Sequence, residues 1–136
     1  MPRRLALLLV LAVGCMAAAA SARAAELVMF DDPTCVWCRR WLAEVGPGYP
    51  KTEEGRRAPL RRVYVRNQAQ SGVALKSAVT GTPTFVLADE GREIGRIVGY
   101  PGAEYFYPML GELLQKLPQP VAPRAPGLRD TRATAE

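Results

Sequence analysis

The chain has 136 residues, a length that suits one domain of ordinary size. The formal charge is +5, but three arginines lie in the first 24 residues, and the remainder has 15 basic and 13 acidic residues. The resulting net charge of +2 does not indicate a nucleic-acid-binding protein. No histidine is present, which excludes histidine-based catalytic triads and cysteine–histidine zinc sites.

The first segment has the three-part pattern of a secretory signal peptide. Arg3 and Arg4 give it a positive start, an uncharged apolar stretch covers 5–20, and small residues precede a cleavage site after Ala24. The apolar stretch is shorter than the roughly 20 residues that a spanning helix needs. We predict a signal peptide over 1–24. An uncleaved membrane anchor and a lipoprotein anchored at Cys15 are the alternatives.

The hydrophobic patterns then predict seven elements, in chain order a strand (26–30), a helix (35–45), a strand (60–66), a helix (69–80), two strands (84–88 and 93–98) and a helix (103–117). The two last strands are separated by a turn at 89–92 that contains Gly91, so they form a hairpin. This β-α-β-α-β-β-α order indicates an α/β fold, in which a mixed four-stranded sheet carries helices on both faces. The domain is therefore expected over 25–117, and 118–136, rich in Pro, Ala and Arg, is predicted to be a disordered tail.

Two of these helices carry specific expectations about which side is buried. The helix over 69–80 should bury Val73, Ala74, Ala78 and Val79. The helix over 103–117 should bury a longer apolar side, made of Phe106, Met109, Leu110, Leu113 and Leu117.

Cys35 and Cys38 are the residues that point most directly to chemistry. Their spacing at the start of a helix lets the two sulfurs meet across one turn, with the first exposed and the second beneath it. A free cysteine ionises near pH 8.5, and the helix dipole contributes only about 0.3–1 kcal/mol, so hydrogen bonds to the sulfur must supply the rest of the activation. The pair is interpreted as redox-active, with no metal or cofactor. A purely structural disulfide and a zinc site shared by two chains are the alternatives.

Pro83 is the second candidate feature, because it opens the third predicted strand. An X-Pro bond adopts the cis form at a cost of only about 0.5–1 kcal/mol. A cis bond here would turn the backbone of Thr82 outward beside the cysteines, where it could pair with a substrate strand. A trans proline that merely starts a strand is the alternative.

Together, the two cysteines and the segment 79–85 resemble the thioredoxin superfamily over about 27–117. The resemblance implies that Cys35 attacks, that Cys38 resolves, that Pro83 is the cis-proline and that Gly99 follows the last strand. Thr82, Pro83, Trp37 and Gly99 would then contact substrate, and Cys35 and Cys38 would form the disulfide. The sequence departs from cytosolic thioredoxins, because Met29 occupies the place of their buried strand acid and Thr34 that of a tryptophan.

The stretches 49–60 and 99–102 further resemble the small periplasmic thioredoxins of bacterial sulfur-oxidation (Sox) gene clusters. This resemblance implies a periplasmic, monomeric reductase that acts on a disulfide or persulfide of a partner protein, the Sox carrier, and takes electrons from a membrane thiol transporter. Two other functions stay open, a disulfide isomerase or oxidase for exported proteins and a non-catalytic partner-binding module.

Overall fold

A computed structural model describes residues 24–118, in which four strands form one sheet. The strands are β1 (Glu26–Asp31), β2 (Leu60–Tyr64), β3 (Thr84–Asp89) and β4 (Arg92–Val98), arranged in the order β2-β1-β3-β4. β1 pairs parallel with β2 and antiparallel with β3, and β3 pairs antiparallel with β4. The predicted mixed four-stranded sheet and the hairpin are confirmed.

Three α-helices accompany the sheet: α1 (Val36–Glu44), α2 (Glu53–Arg57) and α3 (Ala103–Leu114). Short 3-10 helices cover Tyr49–Lys51 and Val65–Gln70. The one-turn helix α2 is defined by its ends, because the Thr52 hydroxyl accepts the Gly55 N–H at 3.0 Å and acidic residues precede basic ones along it. α1 lies in the crossover between the parallel strands β1 and β2, which is the connection that such strands require.

One face of the sheet is covered by α1 and α3 around Trp41. The indole ring of Trp41 lies 5.0 Å from the ring of Phe85 and 5.5 Å from that of Phe106, centroid to centroid, and is fully buried. α3 is three residues shorter than predicted, and its buried residues are Phe106, Leu110, Leu113 and Leu114. The expectation for Met109 was wrong, since this side chain is 40% exposed.

The opposite face has no α-helix over 69–80, so this prediction was also wrong. The 3-10 helix Val65–Gln70 ends there, Gly72 adopts a φ of +73°, and an irregular segment that we call the strap (residues 71–80) follows. Val73 and Val79 are buried against Val28 and Val86 of the sheet, as the apolar pattern required, but Ala74 and Ala78 are exposed.

Hydrogen bonds from distant residues replace the helical ones that the strap lacks. Gln68 uses its side-chain amide to pair with both the N–H (2.7 Å) and the C=O (3.1 Å) of Val79. The carboxylate of Glu93 accepts the Lys76 N–H at 2.8 Å, and the backbone of Ala74 bridges to the start of β4. The strap is therefore an extended cover held by side chains, and it leads directly into Pro83.

Within residues 24–118, we find no helix with the length and apolarity needed to cross a membrane. The body of the predicted signal peptide, the anchoring alternative at Cys15 and nearly all of the predicted tail lie outside the described residues.

Candidate active site

The register of the sheet gathers three chain segments at one of its ends. Phe30, near the end of β1, pairs with Thr84 at the start of β3, and Thr84 pairs with Val98 at the end of β4. The turn that follows β1, the residues that precede β3 and those that follow β4 therefore lie at the same end. The Gly99 N–H donates to the Pro83 carbonyl at 2.7 Å, which joins two of these segments directly.

The turn between β1 and α1 is shaped by Asp32. Its carboxylate accepts the N–H of Thr34 at 2.8 Å and the Thr34 hydroxyl at 2.6 Å, and these bonds lower the pKa of the carboxyl group. The Asp32 carbonyl also accepts the Cys35 N–H at 3.0 Å. Cys35 is extended (φ −71°, ψ 111°) and caps the helix that begins at the next residue.

Cys35 and Cys38 form a disulfide in this structure. The Sγ of Cys35 accepts the Cys38 N–H at 3.0 Å, and no acidic residue lies in the first turn of α1. Cys35 is partly exposed, whereas Cys38 is only 2% exposed and belongs to the core under α1. A helix N–H directed at the outer sulfur favours its thiolate, so the outer sulfur is the one suited to attack an external disulfide.

The surroundings of the inner sulfur are apolar on the β1 side. Met29 is fully buried in the same core cluster as Cys38. The nearest buried carboxylate along the chain is that of Asp31, and it is engaged by the guanidinium of Arg62, whose Nε lies 2.7 Å from Oδ2. Position 29 therefore has methionine in place of a buried acid, as expected. The buried carboxylate of β1 is that of Asp31, the last residue of the strand, and it is held in an ion pair.

Trp37 lies between the cysteines and is 52% exposed. The guanidinium carbon of Arg40 lies 5.5 Å from the ring centroid of Trp37, and Arg40 Nε donates to Glu44 at 2.7 Å. The second oxygen of Glu44 accepts the Tyr100 hydroxyl, also at 2.7 Å. None of these three residues was predicted as a site residue. The four-residue spacing of Arg40 and Glu44 is a local signal that could have indicated their pairing, but the contact with Tyr100 spans 56 residues.

Thr82, Pro83 and Gly99 complete this end of the sheet. The Thr82–Pro83 bond is cis, and within residues 24–118 the backbone of Thr82 makes no hydrogen bond. Gly99 has a φ of +84°, and a Cβ at this position would meet nothing within 4 Å. The arrangement leaves open backbone beside Pro83 and open space at Gly99.

A mixed sheet that places a cysteine pair at a helix N-terminus, beside a proline that opens an antiparallel strand, defines a thioredoxin-fold thiol–disulfide oxidoreductase. The model of the thioredoxin-like domain family matches residues 15–114, and the chain belongs to this family. The predicted α/β thioredoxin fold with its mixed four-stranded sheet and the thiol–disulfide oxidoreductase activity are therefore confirmed.

Among solved structures, the chain is similar to the periplasmic thioredoxin SoxS from Paracoccus pantotrophus in its reduced form. The identity is 47%, the TM-score is 0.65, and the match covers 68% of this chain and 97% of SoxS. A thioredoxin from Malassezia sympodialis matches at 22% identity and a TM-score of 0.49, covering 66% of this chain and 75% of that one. Thioredoxin 2 from Pseudomonas aeruginosa PAO1 matches at 25% identity and a TM-score of 0.43, covering 68% and 82%. The comparison with curated proteins found no match.

Proposed function

We propose that this oxidoreductase works as an exported reductase, which reduces a disulfide or persulfide on a partner protein through Cys35 and Cys38. The observation that carries the proposal is the unequal exposure of the two sulfurs. Cys35 is partly exposed and receives a helix N–H, whereas Cys38 is buried. This asymmetry suits a sequence in which one sulfur meets the partner and the other acts only afterwards.

The reaction begins with the reduced dithiol form. The Cys35 thiolate attacks one sulfur of the partner's disulfide, a mixed disulfide forms, and the other partner sulfur leaves as a thiolate. With a persulfide, attack at the inner sulfur expels hydrosulfide. The Cys38 thiolate then attacks Cys35 and releases the partner's cysteine as a thiolate. Two electrons pass to the partner, and the protein ends in the Cys35–Cys38 disulfide, which a thiol donor must reduce again.

The open end of the sheet provides the proposed docking site for the partner. Thr82 has a backbone N–H and C=O without hydrogen bonds within the described part of the chain, so an extended partner segment can pair there. At Gly99, after β4, a Cβ would meet nothing within 4 Å, so this position leaves space open at the same end of the sheet. Trp37, between the two cysteines, presents an exposed ring, and tryptophan is enriched at protein interfaces.

The partner that we propose is the cysteine-bearing carrier protein of a sulfur-oxidation system. The support is the 47% identity to periplasmic SoxS, together with the Sox-like stretches 49–60 and 99–102. The same likeness supports a periplasmic location, reached through cleavage after Ala24. In that compartment the electrons would come from a membrane thiol transporter, and the protein would work as a monomer.

Covalent trapping in the native host tests this proposal. Cys38→Ser removes the resolving sulfur, so we expect the partner to remain disulfide-bonded to Cys35 and to be identified by mass spectrometry. The matched control is the Cys35→Ser, Cys38→Ser double variant, which can trap nothing. Recovery of a broad set of exported proteins in place of one carrier would favour the isomerase function.

A redox titration against glutathione measures the reduction potential of the cysteine pair and so distinguishes a reductase from an oxidase. A potential of about −270 mV is typical of a reductant, whereas a value of about −120 mV is typical of an oxidant. We expect the first. The second would contradict the reductase assignment and leave the oxidase alternative.

A further inference from the structure

One carboxylate links the exposed ring at the active site to the core. Glu44 accepts Arg40 Nε with Oε1 and the Tyr100 hydroxyl with Oε2, both at 2.7 Å. Arg40 in turn lies over the ring of Trp37, at 5.5 Å from its centroid. The path from Trp37 through Arg40 and Glu44 to Tyr100 crosses from α1 to the loop between β4 and α3.

The two ends of this path differ in their freedom to move. Tyr100 is buried, and its ring lies 6.3 Å from that of Phe106 in the core. Gly99, next to it, donates its N–H to Pro83. Trp37, by contrast, is half exposed. An exposed pair four residues apart on a helix is weak by itself, but here the same carboxylate is also held by a buried residue.

The protonation states keep the path intact near neutral pH. Burial, followed by the hydrogen bond to Glu44, raises the pKa of Tyr100 to about 12, so its hydroxyl remains a donor. The hydrogen bonds from Arg40 and then Tyr100 lower the pKa of Glu44, so the carboxylate remains charged.

We propose that Glu44 is a positioning residue for partner recognition. It fixes Arg40, and through Arg40 it holds the Trp37 ring in the orientation that meets a protein partner beside Cys35. The proposal rests on the reductase function argued above. It assigns the effect to binding of the protein substrate and leaves the exchange of sulfurs to the cysteines.

Glu44→Gln tests the proposal by two independent measurements on the full mature chain. Acrylamide quenching of tryptophan fluorescence in the disulfide form reports on Trp37, because Trp41 is fully buried. We expect a higher quenching constant in Glu44→Gln than in wild type. With insulin as the disulfide substrate, KM should rise about two- to fivefold while kcat changes less than twofold, in keeping with the loss of a surface cation–π contact.

Two controls separate positioning from folding and from chemistry. Reduction of dithiobis(nitrobenzoic acid), which is too small to need a docking surface, should proceed at the wild-type rate. Glu112→Gln makes the same charge change at an exposed site on α3 and should leave every readout unchanged.

Tyr100→Phe keeps the Arg40–Glu44 pair but detaches it from the core, so it should shift quenching and KM in the same direction by a smaller factor.

The outcomes decide two separate questions. Unchanged quenching and an unchanged insulin KM in Glu44→Gln would overturn the positioning role, as would an equal slowing with the small disulfide. If the wild-type protein fails to reduce insulin at all, the reductase function fails, and the quenching measurement alone then decides whether Glu44 fixes Trp37.

Discussion

Glu93→Gln is the change that most directly tests how the strap is attached to the sheet. Glu93 is 7% exposed and accepts three hydrogen bonds, from Arg96 Nε (2.7 Å), from an Arg96 terminal nitrogen (2.6 Å) and from the Lys76 N–H (2.8 Å). Arg96 also donates to the Ser77 carbonyl at 2.9 Å. A neutral amide retains one acceptor oxygen but turns its NH₂ group toward donors, so it cannot satisfy this arrangement.

The expected cost follows from the burial of the pair. Removing one partner of a buried ion pair costs about 3–5 kcal/mol, because the other charge is left uncompensated. We expect the lower end, about 3 kcal/mol, because the amide oxygen of the variant retains one hydrogen bond and the Arg96 guanidinium keeps the Ser77 carbonyl. In a domain of this size, 1 kcal/mol corresponds to about 4–8 °C, so Tm should fall by about 12–24 °C.

Thermal and urea unfolding of the disulfide form, followed by circular dichroism, measure this loss. The matched control is Glu90→Gln, because Glu90 is exposed and lies 3.4 Å from Arg92 in a surface pair worth at most about 1 kcal/mol. A cost of less than about 1 kcal/mol for Glu93→Gln would contradict this prediction and would mean that the strap is held by its apolar contacts alone.

Three further predictions concern the pH dependence of stability, the substitution of two glycines and the titration of Tyr100. The pKa of Glu93 is lowered, first by the hydrogen bond from Arg96. The stability that this carboxylate contributes to the folded state is therefore present above the ordinary value of 4.5 and is lost as pH falls through the lower folded value. Wild-type Tm should drop below about pH 4.5, and more steeply than in Glu93→Gln. Gly55→Ala should cost more than about 3 kcal/mol in urea unfolding, because the new Cβ would lie 1.9 Å from the Tyr49 carbonyl oxygen. Gly111→Ala, whose Cβ would have nothing within 4 Å, should instead stabilise α3 by about 0.5–1 kcal/mol. Equal effects of the two substitutions would contradict this prediction. Because burial, followed by the hydrogen bond to Glu44, raises the pKa of Tyr100 to about 12, Tyr100→Phe should leave the ultraviolet tyrosine titration near pH 10 unchanged. A step lost near pH 10 in the variant would show that Tyr100 is not held in this buried position in solution.

The local patterns were sufficient for the elements that carry the cysteines. The apolar run of β1, the turn residues after it and the helical spacing of Trp41 and Val45 gave the strand and α1 within one or two residues, because each depends on neighbours in sequence. The hairpin followed from Gly91, which has a φ of +74°. The cysteine spacing predicted that the two sulfurs could meet, and the structure has them bonded.

The strap shows where sequence reasoning stopped. Val73, Ala74, Ala78 and Val79 were predicted to form the buried side of a helix, but only the two valines, six residues apart and so on different sides of a helix, are buried. The backbone between them, however, is satisfied by Gln68 and by the distant residue Glu93. Such long-range polar partners override weak helix propensity, and no local pattern reveals them. The Arg40–Glu44–Tyr100 path was missed for the same reason at its last step, which joins positions 56 residues apart.

The attachment of the strap has a consequence for how its length can vary. Ordinary surface loops accept insertions, because their residues depend on no particular position. Here four residues of the strap each form a hydrogen bond with a different fixed group, on β4 or on Gln68; they are Ala74, Lys76, Ser77 and Val79. One residue added within this stretch would displace every later contact from its group, and the displacement would reach Pro83 beside the cysteines. The number of residues in the strap therefore determines the position of Pro83 relative to the reactive sulfurs.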